Sequence, residues 1–422
     1  MSGMTADDQR HADVIVVGAG IVGVSTALWL QRAGRRVLLV DREGPAAGTS
    51  YGNAGVLAAA SIVPVTVPGL WKKAPRMAFD PNQPLFLKWS YFPRLIPFLL
   101  KYLANGRDDR VQKIASGLST LLHDCADQHM SIAKGTPAEE FLEYDSYLFG
   151  YRDRAAYEAD AYSWNIRRNL GHPFKEMDAA DLAAYDPSLK GRFGFGVECP
   201  EHGRITDPGA YVKALADHFI ELGGELLIAN LEGPLLSEGK CEGLKTSKGI
   251  LRADNYVIST GVWSGDLADA FGVSVPLESE RGYHIEFVNP SITLRSPVMV
   301  ASGKFVAHSM KGRLRCAGVV EFGGLDKPAS KAPFELLKRQ MKDAFPDLEY
   351  DRIDEWMGHR PSTADSLPVV GQAPLAANVH LGYGHQHIGL SGGPKTGRWL
   401  AQMITGENPN TDLSPFAPDR KL

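Results

Sequence analysis

Between residues 13 and 43 the hydrophobic pattern changes period twice. Val14 to Val17 is an unbroken apolar run, as a strand buried on both faces requires. Val22, Ala27, Leu30 and Ala33 then recur at three- and four-residue spacing, which predicts a helix, and Gly34 is placed to end it. Arg36 to Val40 returns to a strand pattern. The turn between the first strand and the helix reads Gly18-x-Gly20-x-x-Gly23. Gly18 permits a tight turn, Gly20 lets backbone N–H groups approach a pyrophosphate at the helix N-terminus, and Gly23 lets the helix lie against the sheet. Asp41 closes the second strand, where a carboxylate accepts ribose hydroxyls and repels a 2′-phosphate. The expectation is a dinucleotide-binding βαβ unit.

Further along, Gly48 to Gly55 is a loop of small residues that allows close backbone approach to a ligand, expected beside the pyrophosphate. Leu85 to Leu103, rich in aromatic residues and broken by Pro, and the apolar-periodic Val111 to Met130 predict a helical excursion away from the nucleotide domain. Pro208 opens a helix with Tyr211, Leu215, Phe219 and Leu222 on one face, ended by Gly223 and Gly224. Glu225 to Ala229 and Asn255 to Thr260 read as strands returning to the first sheet. Tyr283 to Val288, Lys304 to His308 and Leu314 to Val320 follow one another without helices, which predicts an antiparallel sheet. A strand from Asn378 to Tyr383 and a helix from about Gly393 to Ile404 close the chain's pattern.

The 422 residues carry 45 Lys and Arg against 49 Asp and Glu, a net charge of −4, so nothing favours a nucleic-acid partner. Cys125, Cys199, Cys241 and Cys316 form no CxxC pair and are expected as free buried thiols. His385-x-His387 lacks a second ligand cluster, and no metal is expected. Met1 to Arg10 is polar, without the apolar core of a signal peptide, and no stretch is long enough to span a bilayer, so a cytoplasmic protein is expected. Phe86 to Leu103, with Lys88, Arg94 and Lys101, has the composition for peripheral contact with a membrane, although its Pro residues favour helix packing instead. No feature points to a particular oligomeric state.

In this order the motifs resemble those of the FAD-dependent oxidoreductases of the D-amino-acid oxidase superfamily, and within it bacterial D-amino-acid dehydrogenases and glyphosate oxidoreductases. The resemblance covers nearly the whole chain. It rests on the three glycines, on Ser50-x-x-Asn53-Ala54-Gly55, on Val257-Ile-Ser-Thr-Gly-Val-Trp-Ser264 and on Glu280-Arg-Gly-Tyr-His284. It continues through Trp356-Met-Gly-His-Arg-Pro361, Asp365, Pro368-Val-Val-Gly371 and Gly384-His-Gln-His-Ile-Gly389.

The resemblance implies an α/β fold: a Rossmann-like FAD-binding domain in several segments (1–80, 195–270, 352–422) and an α+β substrate domain with a mostly antiparallel sheet (81–194, 271–351). It implies FAD held by Gly18, Gly20, Ile21, Val22, Gly23, Asp41 and Arg42; by Ser50, Asn53, Ala54 and Gly55; by Thr260, Gly261 and Trp263; and by Gly358, Gly384, His387, Ile388 and Gly389. Sarcosine oxidases carry a flavin-bonding cysteine where Gly358 stands, so the FAD is expected to be noncovalent. Arg360 is the expected partner of a substrate carboxylate, its planar fork matching two oxygens. Tyr283 either bonds that carboxylate or is a core aromatic, and strand alternation allows only one of Tyr283 and His284 to face the flavin. His385 and His387 are either proton donors to the flavin edge or structural. The implied reaction is oxidative deamination of a D-amino acid, with oxygen or a quinone as acceptor. The alternatives are oxidation of a secondary amine or N-substituted glycine, a flavin-binding protein without turnover, and a nicotinamide dehydrogenase, which the late glycine loop disfavours.

Overall fold

The structure is a computed structural model that describes residues 12–71, 80 and 82–422. The polar segment Met1 to Arg10 lies outside the described residues.

The apolar runs form a six-stranded sheet in the order Val369–Ala373, Ala376–Tyr383, Ala253–Ile258, Ala12–Val17, Val37–Asp41, Glu225–Ile228. All neighbours are parallel except the first pair. Alternation along the strands sends Val14, Val16 and Leu39 toward the helices Ile21–Arg32, Pro208–Glu221 and Gly389–Thr405. Ile15, Val17, Leu38 and Val40 point the other way and are covered by a three-stranded antiparallel sheet, Leu231–Ser237, Lys240–Thr246 and Gly249–Leu251, through Cys241 and Leu244. The sequence reading did not foresee this small sheet; its half-exposed strands lack a sustained apolar face.

The second sheet has ten strands, running from Arg352–Thr363 through Leu277–Val288, Arg313–Phe322, Phe305–Met310, Val298–Val300, Leu142–Tyr151 and Phe195–Ile205 to Val56–Leu57. Most of its pairs are antiparallel, as expected. The helix Lys331–Ala344 covers its back with Phe334, Leu337 and Met341.

Three segments fall on the other side of the expected division. Phe195–Ile205 and Arg352–Thr363, expected with the cofactor domain, are strands of the large sheet, paired with Leu142–Tyr151 and Leu277–Val288. The helices Asp108–Leu122 and Cys125–Ala133, expected to lead away from the nucleotide domain, lie on it. Their stripe of Val111, Ile114, Leu118 and Leu121 completes the core around the helix Gly389–Thr405. Which sheet a strand joins, and which face a helix covers, is decided by non-local packing that a local pattern does not carry.

Candidate active site

A cleft of about 810 Å³ runs along the C-terminal ends of the parallel strands and under the large sheet. The glycine turn forms its floor. Gly18 has φ +103°, and a Cβ there would lie 2.3 Å from the Ser259 carbonyl oxygen; one on Gly23 would lie 1.8 Å from the Gly18 oxygen. The helix begins after Gly20, which has no side chain to cap it, and the one cap present comes from elsewhere: Ile21 N donates to Ser50 Oγ at 3.0 Å. The remaining first-turn amides and the positive end of the helix dipole are left to a ligand in the cleft, which suits a pyrophosphate. Val22 lines the same floor.

Asp41 accepts hydrogen bonds from the amides of Ala19, Glu43 and Gly44, each at 2.8 Å. A carboxylate offers roughly four lone-pair sites, so these bonds orient it and leave capacity toward the cleft that it lines. Arg42 lies over the Trp263 ring, 3.8 Å from its centroid, beside Thr260 and Gly261 at the same wall. These features, with a bare helix N-terminus and a ribose acceptor, fit FAD.

The other wall comes from the edge strand Arg352–Thr363 of the large sheet, through Trp356, Met357, Gly358, His359 and Pro361, and the strand Leu277–Val288 pairs with it. Glu280, Gly282, His284 and Glu286 share one face of the latter. His284 stacks on Trp356 at 4.9 Å between centroids, and the indole lies where a Cβ on Gly52 or Gly358 would be, at 1.8 and 2.1 Å. Gly358 lines the cleft; Cys316 is buried among the apolar residues on the back of the sheet. Arg360 lies across Gly282, where a Cβ would come within 2.5 Å of the guanidinium carbon. Its Nη1 donates to Glu280 Oε1 at 3.1 Å, and Ser362 Oγ donates to Oε2 of the same carboxylate at 2.9 Å.

Of the three expected catalytic side chains, Arg360 lies on the face described above, His385 lines the cleft from the closing turn, and Tyr283 lies elsewhere. Tyr283 is on the opposite face, packed on Phe334; its hydroxyl donates to Glu321 and accepts from Ser330 N, holding the loop that follows Phe322. Arg281, fully buried, reinforces that loop by donating to the carbonyls of Gly324, Lys327 and Pro328. His284 is the member of the pair on the face that carries Trp356 and Arg360. His385 is buried against the helix Gly389–Thr405 with its Nε2 at 2.9 Å from Thr396 Oγ1, and burial pushes its pKa down to about 3. His387 is the exposed side chain of that turn, and desolvation of its imidazole holds its pKa below the usual histidine value, with Glu280 opposing and Arg360 adding to the shift.

The closing helix begins at Gly389, four residues before the expected start, so Gly389 is its first turn and Ile388 packs in the core. Gly384, at φ +85°, turns the chain under Thr363. Ala54 and Gly55 lie behind the cleft wall; Gly55 has φ +75° and leaves no room for a Cβ beside the Ile205 oxygen. Asn53 lines the cleft, and its Oδ1 accepts from Gly55 N. Sequence reasoning named Glu280, His284 and Trp356 as motif members without assigning them as site residues, and gave Arg315 no role. The signal for the first two was present in the period-two order Glu280, Gly282, His284, Glu286.

A family model described as "DAO: FAD dependent oxidoreductase" matches residues 13–403. A D-amino-acid oxidase of Bradyrhizobium diazoefficiens is 38% identical over 98% of this chain and 99% of its own. A D-amino acid dehydrogenase of the same species is 29% identical over 96% and 98%. Among solved structures, glycine oxidase from Geobacillus kaustophilus superposes with a TM-score of 0.75 at 20% identity, covering 98% of this chain and 100% of that one. The chain thus belongs to the DAO family of FAD-dependent oxidoreductases, enzymes that oxidise amino acids or amines.

Proposed function

We propose that the enzyme oxidises the C–N bond of D-α-amino acids, releasing an imine that water hydrolyses to a keto acid and ammonia. The observation that carries this reading is Arg360. One guanidinium nitrogen is tied to Glu280, and among the described residues the others make no hydrogen bond, so a two-point fork is left for a substrate carboxylate beside the flavin wall. The similarity to a protein named D-amino-acid oxidase supports the same choice.

FAD, when bound, supplies the hydride acceptor at its N5. The chain does the rest by placement. Arg360 fixes the carboxylate; Glu280 and Ser362 fix Arg360. His387 is the exposed imidazole beside them and takes the ammonium proton, freeing the nitrogen lone pair that drives hydride loss from the adjacent carbon. With glycine at 358, the FAD is held noncovalently; acid precipitation of the protein then leaves all the yellow colour in solution.

The deciding experiment is anaerobic. D-amino acids, L-amino acids, sarcosine and N-substituted glycines are added in turn, and flavin absorbance near ~450 nm is followed. Bleaching by D-amino acids supports the proposal; bleaching by N-substituted glycines alone moves the enzyme to secondary amines; no bleaching by any of them refutes both.

The outer face of the helix Phe92–Ala104 bears on the acceptor. Ile96 and Leu100 stand exposed one turn apart beside Arg94 and Lys101, while Leu95, Phe98 and Tyr102 are buried behind them. That face suits an anionic membrane surface, where a quinone is met. Among the described residues no helix is long and apolar enough to cross a membrane. Co-sedimentation with anionic vesicles, and turnover with a quinone in place of oxygen, test this.

A further inference from the structure

Four consecutive carbonyls of the loop before the short strand Val56–Leu57 are hydrogen-bonded by three side chains of the large sheet. Arg315 Nη1 donates to Tyr51 O at 2.9 Å and also to Asn53 O; His284 Nδ1 lies 3.0 Å from Gly52 O; His308 Nδ1 lies 2.7 Å from Ala54 O. A carbonyl only accepts, so each histidine carries its proton on Nδ1. Arg315, His284 and His308 are all essentially inaccessible to solvent. Burial holds both imidazoles neutral, pushing His284 down to about 3 and His308 to about 4. Arg315 is itself anchored by Glu286, with Nε at 2.9 Å from Oε1. His308 Nε2 is buried with no partner among the described residues, a cost accepted for the bond made by Nδ1.

The consequence follows from peptide geometry. In a trans peptide the carbonyl and the next residue's N–H point in opposite directions, and the described chain has no cis bond. With the carbonyls of 51, 52 and 53 turned to the sheet, the amides of Gly52, Asn53 and Ala54 are turned away from it. Among the described residues none of the three donates a hydrogen bond, whereas the next amide, Gly55 N, is occupied by Asn53 Oδ1. Asn53 and Ser50 of this loop line the cofactor cleft. Polarised by a guanidinium on the carbonyl side, the peptides become stronger donors on the amide side.

We propose that Arg315 and His284, with His308 anchoring the peptide that follows, are positioning residues that hold the amides of Gly52 and Asn53 as preset donors to the flavin, favouring its electron-rich reduced form. The inference concerns the cofactor side and stands whichever amine is oxidised.

The test compares His308→Phe and His284→Phe, which delete the donor, with His308→Asn and His284→Asn, whose side-chain amide replaces Nδ1–H. The readouts are the dissociation constant of FAD from the apoprotein and the midpoint potential of the bound flavin. The Phe variants are expected to bind reduced FAD at least tenfold more weakly relative to oxidised FAD, a fall of about 30 mV for a two-electron couple, with the Asn variants recovering most of it. A wild-type potential in the Phe variants, or an equal fall in the Asn variants, overturns the proposal. If the Phe variants do not fold, Arg315→Lys decides instead: a lowered potential supports the proposal and an unchanged one overturns it.

Discussion

Glu280 and Arg360 are register partners on adjacent antiparallel strands, and their side chains meet at 3.1 Å on the face of the large sheet that also carries His284 and Trp356. The carboxylate is buried and the guanidinium only slightly open, so removing one partner strands the other. Glu280→Ala is expected to cost about 3 kcal/mol of stability. A small carboxylate such as benzoate should then stabilise this variant more than the wild type, because it replaces the missing anion. Thermal melts with and without benzoate check this; equal ligand-induced shifts in the two proteins contradict it. Arg360→Ala should lower kcat/KM by about 10²-fold, mainly through KM, as loss of two charge-assisted bonds predicts.

Tyr283 makes the converse case. Its hydroxyl serves Glu321 and Ser330 on the back of the sheet, so Tyr283→Phe should leave KM and kcat within about twofold. It should also reduce stability by about 1 kcal/mol and speed amide exchange in residues 323–330. A large KM increase with normal exchange in that loop would return Tyr283 to the substrate site.

The Trp356 indole occupies the space above both Gly52 and Gly358. Gly358→Ala alone should weaken FAD binding because the ring must move into the cleft wall. Trimming the indole in the double variant Gly358→Ala, Trp356→Leu should recover part of the loss, a coupling of about 1 kcal/mol by a double-mutant cycle. Additive losses would mean that the ring and residue 358 do not compete.

Burial lowers the pKa of His129, His202 and His308 to about 4 and that of His284 to about 3. In the unfolded chain each protonates near pH ~6.5, so the folded state binds fewer protons below that value. Their contribution is complete above pH ~6.5 and is lost as pH falls toward 4, at about 3 kcal/mol per group for a shift of this size. The melting temperature of the apoprotein should be flat from pH 8 to 7 and drop by several degrees by pH 5, less steeply in His308→Asn. A flat profile to pH 4.5 contradicts this.

Proton transfer through His387 predicts that kcat/KM rises with pH as the ammonium and imidazole deprotonate. His387→Gln should lower the plateau about 10²-fold. A variant with an unchanged profile leaves the proton to solvent.

Much of the cofactor half was readable from sequence because its determinants are local. Gly18 and Gly23 are required by contacts within a few residues of themselves or at the end of the adjacent strand, and Val14 to Val17 announces a strand buried on both faces. Arg360 was readable only through a motif, since its neighbour Glu280 is 80 positions away and meets it through strand register. Tyr283 and His284 show the limit: alternation says that they face opposite ways, but which way depends on the bulge and pairing with Arg313–Phe322. His385 and His387 are similar, since one turn of 3-10 helix decides which enters the core.

The six-stranded sheet also has a temporal order. Its central strand, Ala12–Val17, is synthesised early, whereas Val369–Ala373 and Ala376–Tyr383, which complete one side of the sheet, emerge only after every strand of the large sheet has been made. The helix Gly389–Thr405, which seals the first helix and carries the last wall of the cleft, comes later still. A ribosome that stops between Thr363 and Gly389 releases a chain with every strand of the large sheet but without the last wall of the cleft. Cofactor retention is therefore sensitive to the integrity of the last stretch of translation.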